Sequence, residues 1–229
     1  MKDLIEKILA YLPRYLKDFG SVVAGPKRFM AEKNTQTDTA YTEALIFLGV
    51  SLVLTVIMTA PFLPPGKDLW SYLAGMAVTS ILGVSLSALN LRFAWRIVGG
   101  KAPIRSFFVI YSYFYSVILI GAIVAILIGV GIFKTLDPDL YTKIVSASIN
   151  KTPPPDMSGS LMPSVLFLVL AVSSILIAIW CFIAWGAYRQ LNGLNRWRSF
   201  FAAIIAGVLS WPISKFVFFV GSAISGSNL

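Results

Sequence analysis

Five long apolar runs constrain this chain more than any other feature of its sequence. They cover residues 44–63, 69–91, 107–133, 161–187 and 200–220. A hydrocarbon core about 30 Å thick needs about 20 helical residues, and a helix satisfies its own backbone hydrogen bonds in lipid. The hydrophobic fraction of 57% and the mean hydropathy of +0.80 leave little chain for a soluble core. We therefore predict an all-α integral membrane protein with five transmembrane helices in residues 40–229, preceded by an N-terminal cytoplasmic or interfacial segment, 1–39.

The connections between the runs alternate in their content of Lys and Arg. Fourteen of these residues lie before the first run, after the second and after the fourth, whereas four lie in the other two connections. Positively charged connections stay on the cytoplasmic side of a membrane. The pattern predicts a cytoplasmic N-terminus and an external C-terminus.

The N-terminal segment has its apolar residues at helical spacing, from Leu4 to Phe19, with charged residues opposite. This spacing predicts an amphipathic helix that lies in the membrane interface and that Pro13 kinks or divides. An alternative of equal weight is that the apolar stripe packs on the protein's own helices. We interpret the polar stretch from Glu32 to Thr39 as a loop.

The largest external connection begins with Asp137 and Pro138, which are typical of a helix N-cap followed by the first helical position. We therefore predict a short external helix there. Its apolar residues Leu140, Ile144 and Val145 would rest on the membrane surface.

Two cytoplasmic connections repeat each other. Residues 95–108 match residues 188–201 at an offset of 93 with six identities in fourteen positions and no gap. Arg96 matches Arg189, and Gly100 matches Gly193. The match predicts two helical hairpins, the second with the third run and the fourth with the fifth, related as parallel repeats.

These two connections contain only basic charges. The cations are Arg92, Arg96, Lys101, Arg105, Arg189, Arg196 and Arg198, and the glycines that allow tight turns are Gly99, Gly100 and Gly193. Basic residues near an anionic leaflet are attracted to it by about 1 kcal/mol each, so anionic membrane phospholipids or an acidic protein partner are the expected ligands. The alternative is that the charges set topology alone.

Small residues recur every four positions in two of the runs. They are Gly75, Thr79, Gly83 and Ser87 in the second run, and Gly121, Ala125 and Gly129 in the third. Such stripes let helices approach closely, and we interpret them as packing seams, within one chain or between copies in a homo-oligomer. A pore lining is the alternative.

The sequence has no His, ten acidic residues and one cysteine, Cys181. Zinc sites and His-based triads therefore lack their parts, and we expect no catalytic residues, no metal, no cofactor and no nucleic-acid partner. A charge inside a span needs a reason. We interpret Glu43, at the cytoplasmic start of the first span, as one half of an ion pair with a loop arginine, with a coupling-ion site as the alternative.

Several short motifs flank the predicted spans. They are Pro26 and Phe29 before the first span; Gly99, Gly100 and Lys101, followed by Arg105, Phe107 and Phe108, after the second; and Arg189, Gly193 and Arg196 after the fourth. Together these motifs resemble those of the Yip domain family, the five-span Rab-interacting membrane proteins of eukaryotes and their bacterial relatives. The resemblance covers roughly residues 25–222. The family's Tyr-Gly-Pro motif is absent, and only Asp18, Phe19, Gly25 and Pro26 stand in that region, a short tail like that of a bacterial protein.

The resemblance implies a non-enzymatic bacterial inner-membrane protein that shapes or organises membrane, or scaffolds partners, through its basic loops. The alternative is a transporter or channel for a small molecule or lipid, built on the two hairpins. That alternative predicts a polar cavity open to one leaflet.

Overall fold

The computed structural model describes residues 2–33, 35–60, 69–150, 152–153, 155–156 and 160–225. All regular secondary structure in these ranges is helical. The helices are α1 (Lys2–Ala24), α2 (Pro26–Glu32), α3 (Asp38–Thr59), α4 (Leu69–Ile97), α5 (Ile104–Leu136), α6 (Pro138–Asn150), α7 (Met162–Asn192) and α8 (Arg196–Ser225).

Five of these helices, α3, α4, α5, α7 and α8, are long and apolar enough to cross a membrane, which confirms the predicted number of spans. Each extends beyond its apolar run at the end rich in cations. Helix α3 begins at Asp38, six residues before the predicted start, because the Thr37 side chain caps it by accepting a hydrogen bond from the amide of Ala40 at 3.2 Å. The end of the first predicted span, residues 61–63, and Lys67 in the next connection lie outside the described residues.

Helix α5 lies at the centre of the bundle and contacts α3, α4 and α7, while α8 packs mainly on α4. The buried core lies toward one end, where α3 and α5 begin and α4 and α7 end. Phe47, Trp95, Tyr113 and Tyr188 are buried there. We call this the basic end. Most residues of α7 and α8 beyond it are exposed, as lipid-facing surfaces would be.

The small-residue stripe of α4 faces α8. A methyl group added at Gly83 would contact Val217 at 3.7 Å, and one added at Gly221 would approach Thr79 to 3.0 Å. The Thr79 hydroxyl donates to the carbonyl of Gly75 at 2.7 Å, while Ser87 is hydrogen-bonded to Tyr111 of α5.

The stripe of α5 is only partly a seam. Ala125 is buried, and a methyl group at Gly129 would contact Leu166 of α7 at 3.4 Å. Gly121, by contrast, has open space where a methyl group would stand. Gly121 therefore forms no seam within the chain, and its interpretation as a contact between copies stays a prediction.

The N-terminal segment packs on the bundle. Helix α1 runs through Pro13 without a break and buries Tyr15 and Val22 against the core. The region between α1 and the first span is not all loop. It contains α2, in which Pro26 occupies the first turn and Phe29 is buried.

The short helix predicted after Asp137 is confirmed as α6, which begins at Pro138. The carboxylate of Asp137 caps it by accepting a hydrogen bond from the amide of Leu140 at 3.1 Å. Leu140 is buried with Phe133 rather than lying on the membrane surface, so α6 is anchored to the end of α5.

Candidate functional site at the basic end

The cations predicted to lie in loops are mostly helical. Arg92 and Arg96 are on the last two turns of α4, Arg189 is on the last turn of α7, and Arg105, Arg196 and Arg198 are in first turns. Lys101 alone of the seven lies in a connection. Helix geometry therefore fixes the backbone positions of these arginines. Their long side chains can extend from the end of a span toward the headgroups.

The structure divides the cations of this end into two groups. Four of them have carboxylate partners: Arg14 with Glu43, Arg28 with Glu32, Lys33 with Glu43 and Arg105 with Asp38. Among the described residues no carboxylate pairs with the other predicted cations, which are Arg92, Arg96, Lys101, Arg189, Arg196 and Arg198. Arg105 therefore has a carboxylate partner, and its guanidinium also lies over the Tyr41 ring.

A charge cluster joins the N-terminal segment to α3. The Lys33 ammonium donates to the Glu43 carboxylate at 2.7 Å and lies 3.6 Å from the Asp18 carboxylate. Glu43 also accepts a hydrogen bond from Arg14. The side chains of Lys33, Asp18 and Glu43 are 17%, 15% and 19% exposed, so bulk water screens them weakly. We call Arg14, Asp18, Lys33 and Glu43 the docking cluster.

Glu43 therefore has ion-pair partners, but they come from the N-terminal segment and not from a loop arginine as the sequence predicted. The reason is that α1 packs on α3 and that Lys33, which follows α2, lies within hydrogen-bond distance of Glu43.

Burial and hydrogen bonding act in opposite directions on Lys33. Its partial burial acts to lower the pKa of the ammonium, while hydrogen bonds to Glu43 and to the Tyr113 hydroxyl at 3.2 Å raise it. The net effect is a raised pKa. The hydrogen bond to Glu43 likewise raises the pKa of Arg14. Both cations of the cluster are charged at neutral pH, and the stabilisation from Lys33 is lost only as the pH rises through its folded-state pKa.

Further contacts hold the same segment. The Tyr15 hydroxyl shares a buried hydrogen bond with Ser51 at 2.9 Å, and the Trp180 indole donates to the carbonyl of Val23 at 3.1 Å. The stem of Lys27 crosses Gly186, where an added methyl group would lie 2.6 Å from it.

Helices α4 and α7 end in the same capping motif. Gly99, with φ of 98°, and Gly193, with φ of 61°, adopt the left-handed conformation that closes each helix. At the end of α4, the amide of Gly100 donates to the carbonyl of Trp95 at 2.7 Å, and that of Gly99 to Arg96 at 3.1 Å. This geometry aligns Gly99 with Gly193, an offset of 94, whereas the sequence match aligned Gly100 with Gly193.

The environments of the matched residues differ in the two hairpins. Ser106 and Ser199 are both buried. Phe107 and Phe108 are buried, but their matches Phe200 and Phe201 are more than half exposed. The difference arises because α5 is surrounded by three helices and α8 has one principal neighbour.

The turn after α4 creates a small cleft at the basic end. It has a volume of about 220 Å³ and is lined by Arg92, Arg96, Gly100, Lys101, Ala102, Phe107 and Asn192. We call it the basic cleft. Three of the seven described lining residues are cations with no carboxylate partner among the described residues, and none of the seven is acidic, so the cleft can hold an anion.

A second cleft, of about 570 Å³, lies between the same turn and α8. Its lining is apolar apart from Arg198, and it consists of Ile97, Val98, Gly99, Arg198, Phe201 and Ile205. An apolar wall with one cation is the arrangement that an acyl chain below a charged headgroup would fit. Arg189 and Arg196 line none of the clefts described at this end.

No protein-family model matches this chain, and no curated protein or solved structure matches it either.

Sequence reasoning missed two features of the basic end. The first is the charge cluster, in which Arg14 and Lys33 pair with Glu43 and Lys33 also lies near Asp18; these residues are 10 to 29 positions apart, which no helical spacing rule indicates. Asn192 was not singled out, although it joins the two hairpins by accepting a hydrogen bond from the amide of Ala102 at 3.3 Å. Its position immediately before Gly193 at a helix end was the signal that could have found it.

Proposed function

We propose that this protein is a non-enzymatic, multi-pass protein of the bacterial inner membrane that binds anionic phospholipid headgroups at its basic end and so organises or shapes the cytoplasmic leaflet. The proposal includes the resemblance to the Yip domain family and the orientation with the N-terminus in the cytoplasm. The observation that carries it is the division of the cations. Among the described residues, carboxylates pair with one group of cations at this end and with none of the predicted cations that α4, α7, α8 and one connection contribute.

The position of these cations supports the lipid as ligand. They lie where spans end, which is headgroup level in the proposed orientation, and exposed apolar side chains flank them. Phe93, Ile97 and Trp197 are all more than half exposed. A cation beside exposed apolar surface contacts headgroup and acyl chain together.

Helix α1 adds a second contact with the interface in this proposal. Its Tyr15 and Val22 face the core, while Leu16 and Val23 are exposed beside charged residues such as Lys17. The helix thus uses part of its apolar surface for docking and leaves another part for the bilayer interface.

The packing reflects the repeat only in part. A two-fold axis that exchanges α4 with α7 and α5 with α8 would turn the contact of α4 with α8 into that of α7 with α5, and both contacts are extensive. The same axis would also turn the contact of α4 with α5 into one of α7 with α8, but α7 and α8 do not pack on each other extensively. The transporter alternative is less favoured, because the residues that line the described clefts lie near helix ends and none of these clefts reaches the middle of the bundle.

The proposal is tested by measuring which lipids surround the protein. The full chain and a variant with Gln at Arg92, Arg96, Lys101, Arg189, Arg196 and Arg198 are reconstituted in phosphatidylcholine with spin-labelled phosphatidylglycerol or phosphatidylcholine as probe. We expect the unaltered protein to prefer phosphatidylglycerol at least threefold, and the variant to show nearly equal association, because the headgroup attraction comes from these charges.

The control is Lys134→Gln with Lys143→Gln, which removes charge from the opposite end and is expected to leave the preference intact. An unaltered protein without preference, or a six-residue variant that keeps it, would contradict the proposed function.

A further inference from the structure

The basic cleft brings three cations together, Arg92, Arg96 and Lys101. Arg92 and Arg96 are four residues apart on α4, so they share one face, and like charges at that spacing destabilise a helix. The turn at Gly99 and Gly100 brings Lys101 back to line the same cleft. No carboxylate is among its described lining residues, although Arg14, Arg28, Lys33 and Arg105 of the same end each have a carboxylate partner.

The walls of the basic cleft are fixed in place. The Asn192 amide accepts a hydrogen bond from the amide of Ala102 at 3.3 Å and donates to the carbonyl of Tyr188 at 2.9 Å. A methyl group at Gly100 would stand 2.5 Å from the Asn192 side-chain oxygen and 2.9 Å from the Trp95 carbonyl, so the turn fits only without a side chain there. Phe107, which is 1% exposed and stacks on Tyr188, forms a rigid part of the lining.

The size of the cleft limits its ligand. Its volume is about 220 Å³. A tetrahedral anion with the first atoms of its ester occupies such a space. Two guanidinium groups offer paired donors that match phosphate oxygens, and the ammonium adds a point charge.

We infer that the basic cleft is a binding site for a phosphate monoester, the headgroup chemistry of phosphatidate and of soluble sugar or glycerol phosphates. A monoester carries about −1.5 to −2 charges near pH 7 and three acceptor oxygens. A phosphodiester headgroup carries a single charge and two free oxygens. Three convergent cations neutralise the monoester better and therefore select it. This inference rests on the proposed function, since it assigns a preferred headgroup to part of the same basic end.

The test titrates the detergent-solubilised full chain with dihexanoyl phosphatidate and dihexanoyl phosphatidylglycerol, and measures apparent Kd by native mass spectrometry. We expect phosphatidate to bind at least fivefold more tightly. The double variant Arg92→Gln with Arg96→Gln is expected to lose at least tenfold in affinity for phosphatidate.

The matched control is Arg189→Gln with Arg196→Gln, which removes the same charge from the same end but from residues that do not line the cleft. We expect it to change the affinity for phosphatidate less than threefold. A second variant, Gly100→Ala, keeps every charge and crowds Asn192, so it is expected to lose the selectivity for phosphatidate. Circular dichroism and melting temperature establish that the double variants are folded.

Equal affinity for the two lipids, or equal loss in the two double variants, would overturn the monoester site. Glycerol 3-phosphate is then added as a competitor of phosphatidate. Displacement at comparable concentration assigns the site to a soluble ester, and no displacement at large excess assigns it to the lipid. Both results support a monoester. The spin-label experiment separates the two proposals, because a preference for phosphatidylglycerol over phosphatidylcholine can persist when phosphatidate selectivity is absent.

Discussion

Replacing Trp95 by Ala is expected to lower the free energy of unfolding in detergent by about 3 kcal/mol or more. Trp95 is completely buried near the end of α4 and stacks on Trp185 of α7 with ring centroids 5.3 Å apart. Helix packing in lipid depends on dispersion contacts rather than on the hydrophobic effect, so a cavity at this position removes contacts that no solvent replaces. The carbonyl of Trp95 also accepts the hydrogen bond that closes the turn at Gly100.

The control for Trp95 is the same substitution at Trp197, which is 74% exposed in the first turn of α8. We expect Trp197→Ala to cost less than about 1 kcal/mol, because an exposed side chain leaves no cavity. Equilibrium unfolding in mixed micelles, followed by circular dichroism, measures both. If the two variants are equally stable, the core is not where we place it.

Replacing Glu43 by Gln is expected to release the N-terminal segment from the bundle. Gln keeps the shape of the side chain and removes its charge, which leaves the Lys33 ammonium and the Arg14 guanidinium without their shared counter-ion. Loss of one partner of a weakly screened ion pair costs about 2 kcal/mol or more, although the exposed Arg14 contributes little of this. We therefore expect the population with α1 detached to rise roughly tenfold or more.

Detachment of α1 is measured by the rate at which maleimide modifies a cysteine placed at Val22, which is completely buried, in a Cys181→Ser background. Glu32→Gln is the matched control. Its pair with Arg28 is exposed on both sides, so we expect a change of less than threefold. A Glu43→Gln variant that reacts as slowly as its parent would show that apolar contacts alone hold α1.

The five spans were predictable from sequence because length and hydropathy alone decide whether a helix can cross a bilayer. The ends of the helices were harder to predict from length and hydropathy. Apolar runs mark where side chains meet lipid, while the helices continue through Arg92, Arg96 and Arg189 into the headgroup region. Asp137 with Pro138 predicted the start of α6 correctly because capping is a local interaction.

The contacts of the N-terminal segment could not be predicted in this way. Gly25 and Pro26 indicated a break in the chain, and the helix that follows is held by the burial of Phe29 and Met30 against the bundle. The partners of Glu43 depend on how α1 packs against α3, which is a tertiary property.

The positive charge of the candidate site was predictable from the sequence. Which cations are paired and which line the basic cleft was not. The sequence indicated seven cations near the membrane. The pairing of Arg105 with Asp38 and the convergence of Arg92, Arg96 and Lys101 follow from helix packing and from the turn at Gly99. Residue type alone does not show which of the seven cations have carboxylate partners.

The central claim is that the basic end lies in the cytoplasm. It is tested most directly by placing a single cysteine at Lys101 or at Lys143, both exposed and at opposite ends of the bundle, in the Cys181→Ser background. Spheroplasts are then treated with a membrane-impermeant maleimide. We expect modification at position 143 in intact spheroplasts and at position 101 only after lysis, and modification at position 101 before lysis would contradict the orientation and the lipid-binding proposal with it.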